Sequence, residues 1–351
     1  MKEKLTLFVT CAGGSLMPCV FIELMNSRLF DYRFVGVDVA PSVAAKRLLS
    51  EFHQMPAGDD PGYIPKLMDI VAREKVDMIL PLSDGEAYAV SGALEEIEAL
   101  GTRALVSPRE CLDLISDKRL TYQNLDKAGI RVPEYSAVQD TNGLVAALDH
   151  YDYPNQTIVI KPTKGRGNRG LHILCGKDNP PEWLGSGNRE KRIERVIDDP
   201  KQLASFMEGE TLVMPCLGLP AYDVDVLNYG AEKYAVYVRE RTNPTGIPYE
   251  GNILTVKRTI TDYCRDVANA LHLHALHDMD LMTDKNGKIV ILEVNPRPSG
   301  SIASTLVSGF PILDWAVAYS LNREFSVIEP ETDIAVSVLS CVLAVPSVDT
   351  I

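Results

Sequence analysis

Asp278-Met-Asp280-Leu-Met282-Thr-Asp-Lys-Asn286-Gly287-Lys288-Ile-Val-Ile-Leu-Glu293-Val-Asn295-Pro-Arg297 decides how this chain reads. Asn286-Gly287 stands between two apolar, alternating runs, and that dipeptide is the preferred two-residue type I′ turn of a β-hairpin. Counting outward from Lys285 opposite Lys288 puts Met282 opposite Ile291, Asp280 opposite Glu293 and Asp278 opposite Asn295, all on one face. Two carboxylates facing each other across a ladder repel, so a cation belongs between them. With Asn295 one pleat further along, Asp280 and Glu293 make an all-oxygen set suited to Mg2+, with Mn2+ as an alternative. Mg2+ commonly takes one or two carboxylates and fills its other positions with waters and phosphate oxygens. Pro296 ends the ladder and leaves Arg297 beside the set as a bidentate phosphate donor. The plainer alternative has Asp280 facing solvent and Glu293 paired with Arg297.

Upstream, residues 157–161 and 171–174 read as strands around a loop containing Gly165-Arg166-Gly167-Asn-Arg169-Gly170. The glycines match GxGxxG, but a dinucleotide fingerprint needs a helix after them, and 171–174 is a short strand. The loop is therefore expected at the tip of a hairpin, where its backbone N–H groups can cover a triphosphate. Lys164, Arg166 and Arg169 add positive charge; a solvated turn with incidental basic residues is the alternative. Lys161 ends an apolar strand just before the loop, so its ammonium is expected beside the phosphates. A snorkelling edge lysine is the competing reading.

The first 115 residues alternate buried strands, at 5–10, 33–38, 77–81 and 104–106, with helical patterns such as Ile64, Leu67, Met68 and Val71. That rhythm specifies a parallel βαβ domain. Cys11-Ala-Gly13-Gly14-Ser15 reads as a tight strand-to-helix turn whose serine can cap the helix; its glycine spacing is incomplete for dinucleotide binding. A new unit begins at Ser116-Asp117-Lys118, with a helix ended by Gly129 and blocked by Pro133. Residues 176–200 are rich in Gly, Pro, Asn and charge and read as a mobile excursion. A second sheet is expected through 211–214, 222–227 and 234–238, closed by the carboxylate hairpin. The resulting divisions are 1–115, 116–210, 211–325 and a C-terminal segment 326–351.

The chain has 351 residues with 35 basic against 48 acidic side chains, a net charge of −13 that argues against nonspecific nucleic-acid binding. Its longest apolar stretch, 335–345, falls well short of the ~20 residues needed to cross a bilayer. No membrane association is expected, and the N-terminus lacks a signal-type apolar region, which points to the cytoplasm. Seven scattered cysteines without CxxC spacing read as reduced thiols. His272, His274 and His277 span a helix end and a strand start and do not read as a second metal site.

Asp117-Lys118, Ile160-Lys161-Pro162 with the glycine loop, and Glu293-Val-Asn295-Pro-Arg297 together resemble the ATP-grasp superfamily. Within it they resemble the ATP-binding modules of the carbamoyl phosphate synthase large chain, through about residue 325. The resemblance implies an α/β pre-ATP-grasp domain followed by an ATP-grasp fold of two α+β subdomains with ATP between them. It places Lys118, Lys161, Gly165, Arg166, Gly167 and Gly170 on the phosphates. Val213, Met214 and Leu217 become the hinge whose backbone reads adenine, Asp280, Glu293 and Asn295 the Mg2+ ligands, and Arg297 the partner of the transferred phosphate. One departure is Ala221, where the family usually has a glutamate for the ribose; Asp223 or Asp225 shares that side of the strand and either substitutes there or serves the charge network of the hairpin. Pro215 lacks an N–H that an adenine contact could use. Arg239 ends a strand on what would be the acceptor side and is expected to hold a substrate carboxylate, against the alternative of a surface salt bridge. The implied activity is that of an ADP-forming ligase, in which a small carboxylate becomes an acyl phosphate that an amine displaces. A kinase stopping at the phosphorylated acid and a non-catalytic nucleotide-binding module are the alternatives, and a homodimer would be an ordinary assembly.

Overall fold

The computed structural model describes residues 2–165, 170–175, 192–194, 202, 203, 207, 209–243 and 251–338. The N-terminal sheet contains β1 (Glu3–Val9), β2 (Phe30–Asp38), β3 (Glu51–Gln54), β4 (Met78–Leu80) and β5 (Arg103–Ala104). These strands run parallel in the order β3-β2-β1-β4-β5. Helices α1 (Met17–Met25), α2 (Tyr63–Glu74), α3 (Asp84–Gly92), α4 (Leu94–Ala99) and α5 (Arg109–Ile115) connect and flank them. Both faces of the sheet are covered, which is why its central strands are apolar throughout. Leu7 and Val9 pack toward α1, whereas Phe8 packs toward α2 and α3. β3 escaped the pattern because Glu51-Phe-His-Gln54 has no apolar alternation. Ser15 does not cap α1: Leu16 holds the cap position without a side-chain bond, and Pro18 pre-sets the first turn.

The second sheet combines β6 (Ser136–Val138), β7 (Ile158–Pro162), β8 (His172–Leu174), β9 (Arg192–Glu194) and β10 (Thr211–Pro215), in the order β6-β10-β7-β8-β9. Helices α6 (Lys118–Lys127) and α7 (Thr141–His150) belong to the same stretch of chain, and α7 shares a small core with Ile158, Ile160 and Val213. β7 and β8 pair antiparallel, Ile160 opposite His172, so the glycine segment joins two strands and no helix follows it. Its residues 166–169, including Arg166 and Gly167, lie outside the described residues, as does most of the expected excursion at 176–200. β10 corrects the sequence reading. It pairs with β7, Leu212 opposite Lys161, and not with the larger sheet. A short apolar run suits either sheet, and only its long-range partner decides.

The third sheet is antiparallel: β11 (Gly218–Asn228), β12 (Tyr234–Arg241), β13 (Gly251–Thr255), β14 (Ala275–Thr283), β15 (Ile289–Asn295) and β16 (Ile334–Ser337), ordered β15-β14-β11-β12-β13-β16. Side-chain alternation gives it two different faces. Tyr222, Val224, Val226, Val238, Met279 and Leu281 bury against Ile260, Cys264 and Val267 of the helix Arg258–Ala270. On the opposite face, Leu227, Tyr237, Leu254 and Leu276 join Trp315 and Phe310 and continue into Phe21 and Leu80 of the N-terminal sheet as one core. Where that apolar half ends, the same face carries Asp223, Asp225, Arg239, Arg241, Asp278 and Asp280.

The N-terminal domain is also tied to this sheet beside the charged patch. Ser107 Oγ donates to the His274 carbonyl at 2.6 Å and lies 3.3 Å from His277 Nε2. Burial, reinforced by His274, pushes His277 down to about 3 from an ordinary value of 6.5. The unfolded chain therefore takes up a proton below pH 6.5 that the fold refuses until about pH 3, so stability is lost as pH falls through that window. The contribution of this group reaches at most roughly 1.4 kcal/mol per pH unit. Urea unfolding of wild type and His277→Gln at pH 7 and pH 4.5 should show a shallower acid loss in the variant; equal losses would contradict this account.

Candidate active site

The β14–β15 hairpin brings together the acidic residues singled out from the sequence, by a route the sequence did not reveal. The turn is not type I′. Asn286 keeps a negative φ, Gly287 alone is left-handed at φ +70°, and Gly287 N–H donates to the Asp284 carbonyl. This is a three-residue connection with a glycine bulge. Asp284 favours it, because its carboxylate accepts from the N–H groups of both Asn286 and Lys288 at 2.8 Å. The extra loop residue shifts the register, so that Leu281, not Met282, faces Ile291. A bulge at Leu292 then shifts it back, and Asp280 faces Glu293 while Asp278 faces Asn295. The Leu292 carbonyl, left out of the ladder, accepts from Tyr122 Oη of α6 at 2.7 Å.

Cations converge on this hairpin from three directions. Asp117 caps α6 by accepting from the N–H groups of Arg119 and Leu120, which fixes Lys118 in the first turn. Lys118 Nζ lies 3.2 Å from Glu293 Oε2 and donates to the Gly165 carbonyl at 3.0 Å. Lys161, from β7, is buried with its Nζ 3.3 Å from Tyr122 Oη. Burial, with Lys118 adding repulsion, pushes Lys161 down to about 7. Burial also raises Glu293, but Lys118 and Lys161 outweigh it and hold that carboxyl below its ordinary value. Arg297 donates through Nε to Asp84 Oδ1 at 3.0 Å, and its Nη1 lies 3.5 Å from Asp278 Oδ2. The alternative pairing of Glu293 with Arg297 is not observed.

Two expected roles do not fit. Arg239 is 0% exposed and cannot meet a substrate carboxylate at a surface. Its guanidinium grips Asp225 with two bonds of 3.1 and 3.0 Å and donates to the Ser301 carbonyl at 3.1 Å. Asp223 is likewise unsuited to a ribose: it is 1% exposed and bound by Arg241. Arg241, which ends the same strand as Arg239 and carried no role of its own in the sequence reading, bridges Asp223 and Asp280 with its guanidinium. The residues named for the hinge are backbone neighbours on β10 and just beyond it. Met214 and Leu217 form a small apolar cluster with Val290.

The donor set can be judged directly. Among the described residues no three His, Cys, Asp or Glu side chains form a cage. Asp280 and Glu293 instead offer a half-shell, and Asn295 directs its amide nitrogen at Asp278 and Asp280, leaving its oxygen as a third donor. Such a set fits a hard divalent cation whose remaining positions come from phosphates and water. Burial, with repulsion from Asp223, lifts Asp278 to about 7, and its Oδ1 accepts no hydrogen bond, with Arg239 Nη2 4.0 Å away.

A cleft of about 470 Å³ opens beside the hairpin, between Lys118, Gly165 and Asn295 on one side and Asp84 and Tyr88 of the N-terminal domain on the other. Gly58 forms part of its wall by necessity, since a Cβ there would stand 2.4 Å from the Gly85 backbone. Sequence reasoning missed this wall. The available signal was Ser83-Asp84-Gly-Glu86, an N-cap spacing in which Ser83 Oγ accepts from the Glu86 N–H at 3.4 Å and donates to Glu86 Oε2 at 2.7 Å.

Residues 208–342 match a family model described as ATP-grasp in the biosynthetic pathway with Ter operon, and residues 11–105 match the PylC-like N-terminal domain. The chain resembles ATP-grasp proteins over residues 208–342 and shares their fold. It is 26% identical over 289 residues to the carbamoyl phosphate synthase large chain of Archaeoglobus fulgidus, a match covering 75% of this chain and 25% of that one. It thus spans about a quarter of the length of that relative. The ATP-grasp architecture is shared with N5-carboxyaminoimidazole synthetase from Staphylococcus aureus, solved with ADP, at a TM-score of 0.67 and 15% identity over 93% of this chain and 80% of that one. Biotin carboxylase from Campylobacter jejuni gives a TM-score of 0.67 and 15% identity, covering 92% and 72%. In ATP-grasp terms, the charged hairpin of this chain faces the small sheet that carries Lys161, with the N-terminal domain closing the third side. Among the described residues no helix is long and apolar enough to cross a membrane.

Proposed function

We propose that this chain is an ADP-forming carboxylate–amine ligase that works through an acyl phosphate. One observation carries the reading: Asp280, Glu293 and Asn295 stand in cross-strand register on one sheet face, opposite Lys118 and Lys161. ATP then lies between the small and large sheets, with its adenine against the hinge at Val213, Met214 and Leu217 and its phosphates toward Lys118, Lys161, Gly165 and Gly170. Mg2+ held by Asp280, Glu293 and Asn295 would supply charge neutralisation on the β- and γ-phosphates.

A substrate carboxylate oxygen donates its lone pair to the γ-phosphorus, and the bond to the β,γ-bridging oxygen breaks, releasing ADP. The amine lone pair then forms a C–N bond, the acyl C–O bond breaks, and phosphate leaves with that electron pair while the nitrogen loses a proton to water or to the phosphate. Lys161 and Arg297 hold phosphoryl oxygens, and such positioning and charge matching provide most of the acceleration in phosphoryl transfer. The cleft against Asp84 and Tyr88 is the place for the acid and amine, since it reaches both Asn295 and the first turn of α3. A screen of carboxylic acids with and without amines, read as ADP release, tests the reading. ADP formation requiring both reactants supports it. ADP with acid alone would make the chain a kinase, and AMP with pyrophosphate would reject the acyl phosphate.

A further inference from the structure

Both carboxylates of the candidate metal cradle already carry a built-in cation. Arg241 sits on Asp280 and bridges it to Asp223, and Lys118 lies 3.2 Å from Glu293. The Arg241 side chain is 16% exposed and is held by β12 at the edge of the charged face, with no carboxylate partner other than Asp223 and Asp280 among the described residues. Asp223 and Asp280 are cross-strand neighbours on β11 and β14, so their repulsion is what the guanidinium relieves. A metal ion arriving alone must compete with both cations for the same oxygens. A metal arriving on a nucleotide does not, because the phosphates draw Lys118 off Glu293 and offset the charge left by Arg241.

We propose that Arg241 is a positioning residue that keeps the cradle closed to free divalent cations and admits the metal only together with nucleotide. The inference rests on the proposed nucleotide site and adds the order of loading. It concerns the field at the cradle: a fixed positive charge in contact with Asp280 lowers the affinity of that carboxylate for any second cation.

Mn2+ uptake by the full chain, followed by electron paramagnetic resonance with and without a non-hydrolysable ATP analogue, tests this. Wild type should take up Mn2+ only when the analogue is present. Arg241→Gln should bind Mn2+ without nucleotide roughly tenfold more tightly than wild type, whereas Arg241→Lys, which keeps the charge, should stay near wild type. A folded Arg241→Gln protein with unchanged nucleotide-free affinity would overturn the proposal. So would stoichiometric Mn2+ binding by wild type at tens of micromolar in the absence of nucleotide, a measurement needing no variant. If wild type took up no Mn2+ even with the analogue, the nucleotide-site reading would fall and this inference with it; nucleotide-dependent uptake with an unaltered variant removes this inference alone.

Discussion

Arg239→Ala should destabilise the protein by about 3–5 kcal/mol, the loss typical of removing one partner from a buried ion pair. The guanidinium is fully buried, bonded twice to Asp225, and 4.0 Å from carboxylate oxygens of both Asp223 and Asp278. Its removal strands Asp225 with only the Thr305 hydroxyl at 2.5 Å and leaves three aspartates facing one another. On a chain of this size the thermal midpoint should drop by roughly 4–7 °C. Thermal and urea melts decide the matter. A variant as stable as wild type, altered only in its Michaelis constant for an acid, would return Arg239 to the substrate-binding role that its strand-end position first suggested.

Glu293→Gln should have the opposite signature, with stability nearly intact and turnover gone. The side chain is 29% exposed and its main partner is Lys118, so the substitution removes a partly solvated pair worth on the order of 1 kcal/mol or less. Its chemical consequence is much larger. One of two cradle carboxylates becomes neutral, and Lys118 loses the anion that positions it. ADP release in the presence of the productive acid and amine should fall about 100- to 1,000-fold. Nucleotide-dependent Mn2+ uptake should weaken in parallel, while the melting temperature moves by no more than a few degrees. A protein retaining near-normal turnover would remove Glu293 from the metal site and, with it, the feature on which the ligase reading stands.

The carboxylate pairing counted out from the sequence agrees with the structure because two departures from that count cancel. The three-residue turn and the bulge at Leu292 each displace the ladder by one residue, in opposite senses, and the facing of Asp280 and Glu293 survives. Short apolar runs separated by helical patterns also made the parallel N-terminal sheet legible. Other features depend on partners distant in sequence. Arg239 and Arg241 stand two residues apart on the same strand face, yet one is sealed beneath Ser301 and the other reaches the cradle edge. No local pattern separates them. β10 joined the small sheet, and the cleft wall at Gly58 and Asp84 came from loops whose meeting is set by the N-terminal fold. The ends of the glycine hairpin agree with the sequence reading, and its tip falls at 166–169, beyond what the structure describes.

The boundary drawn near residue 115 is not a line along which this polypeptide can be cut. Phe21 and Leu80 share an interior with Tyr237, Leu276 and Trp315. A fragment beginning after α5 would turn those aromatic and aliphatic groups outward into water, creating an adhesive surface. Grafting a foreign N-terminal module to change acceptor preference would require redesigning that shared interior together with the substrate-facing loops.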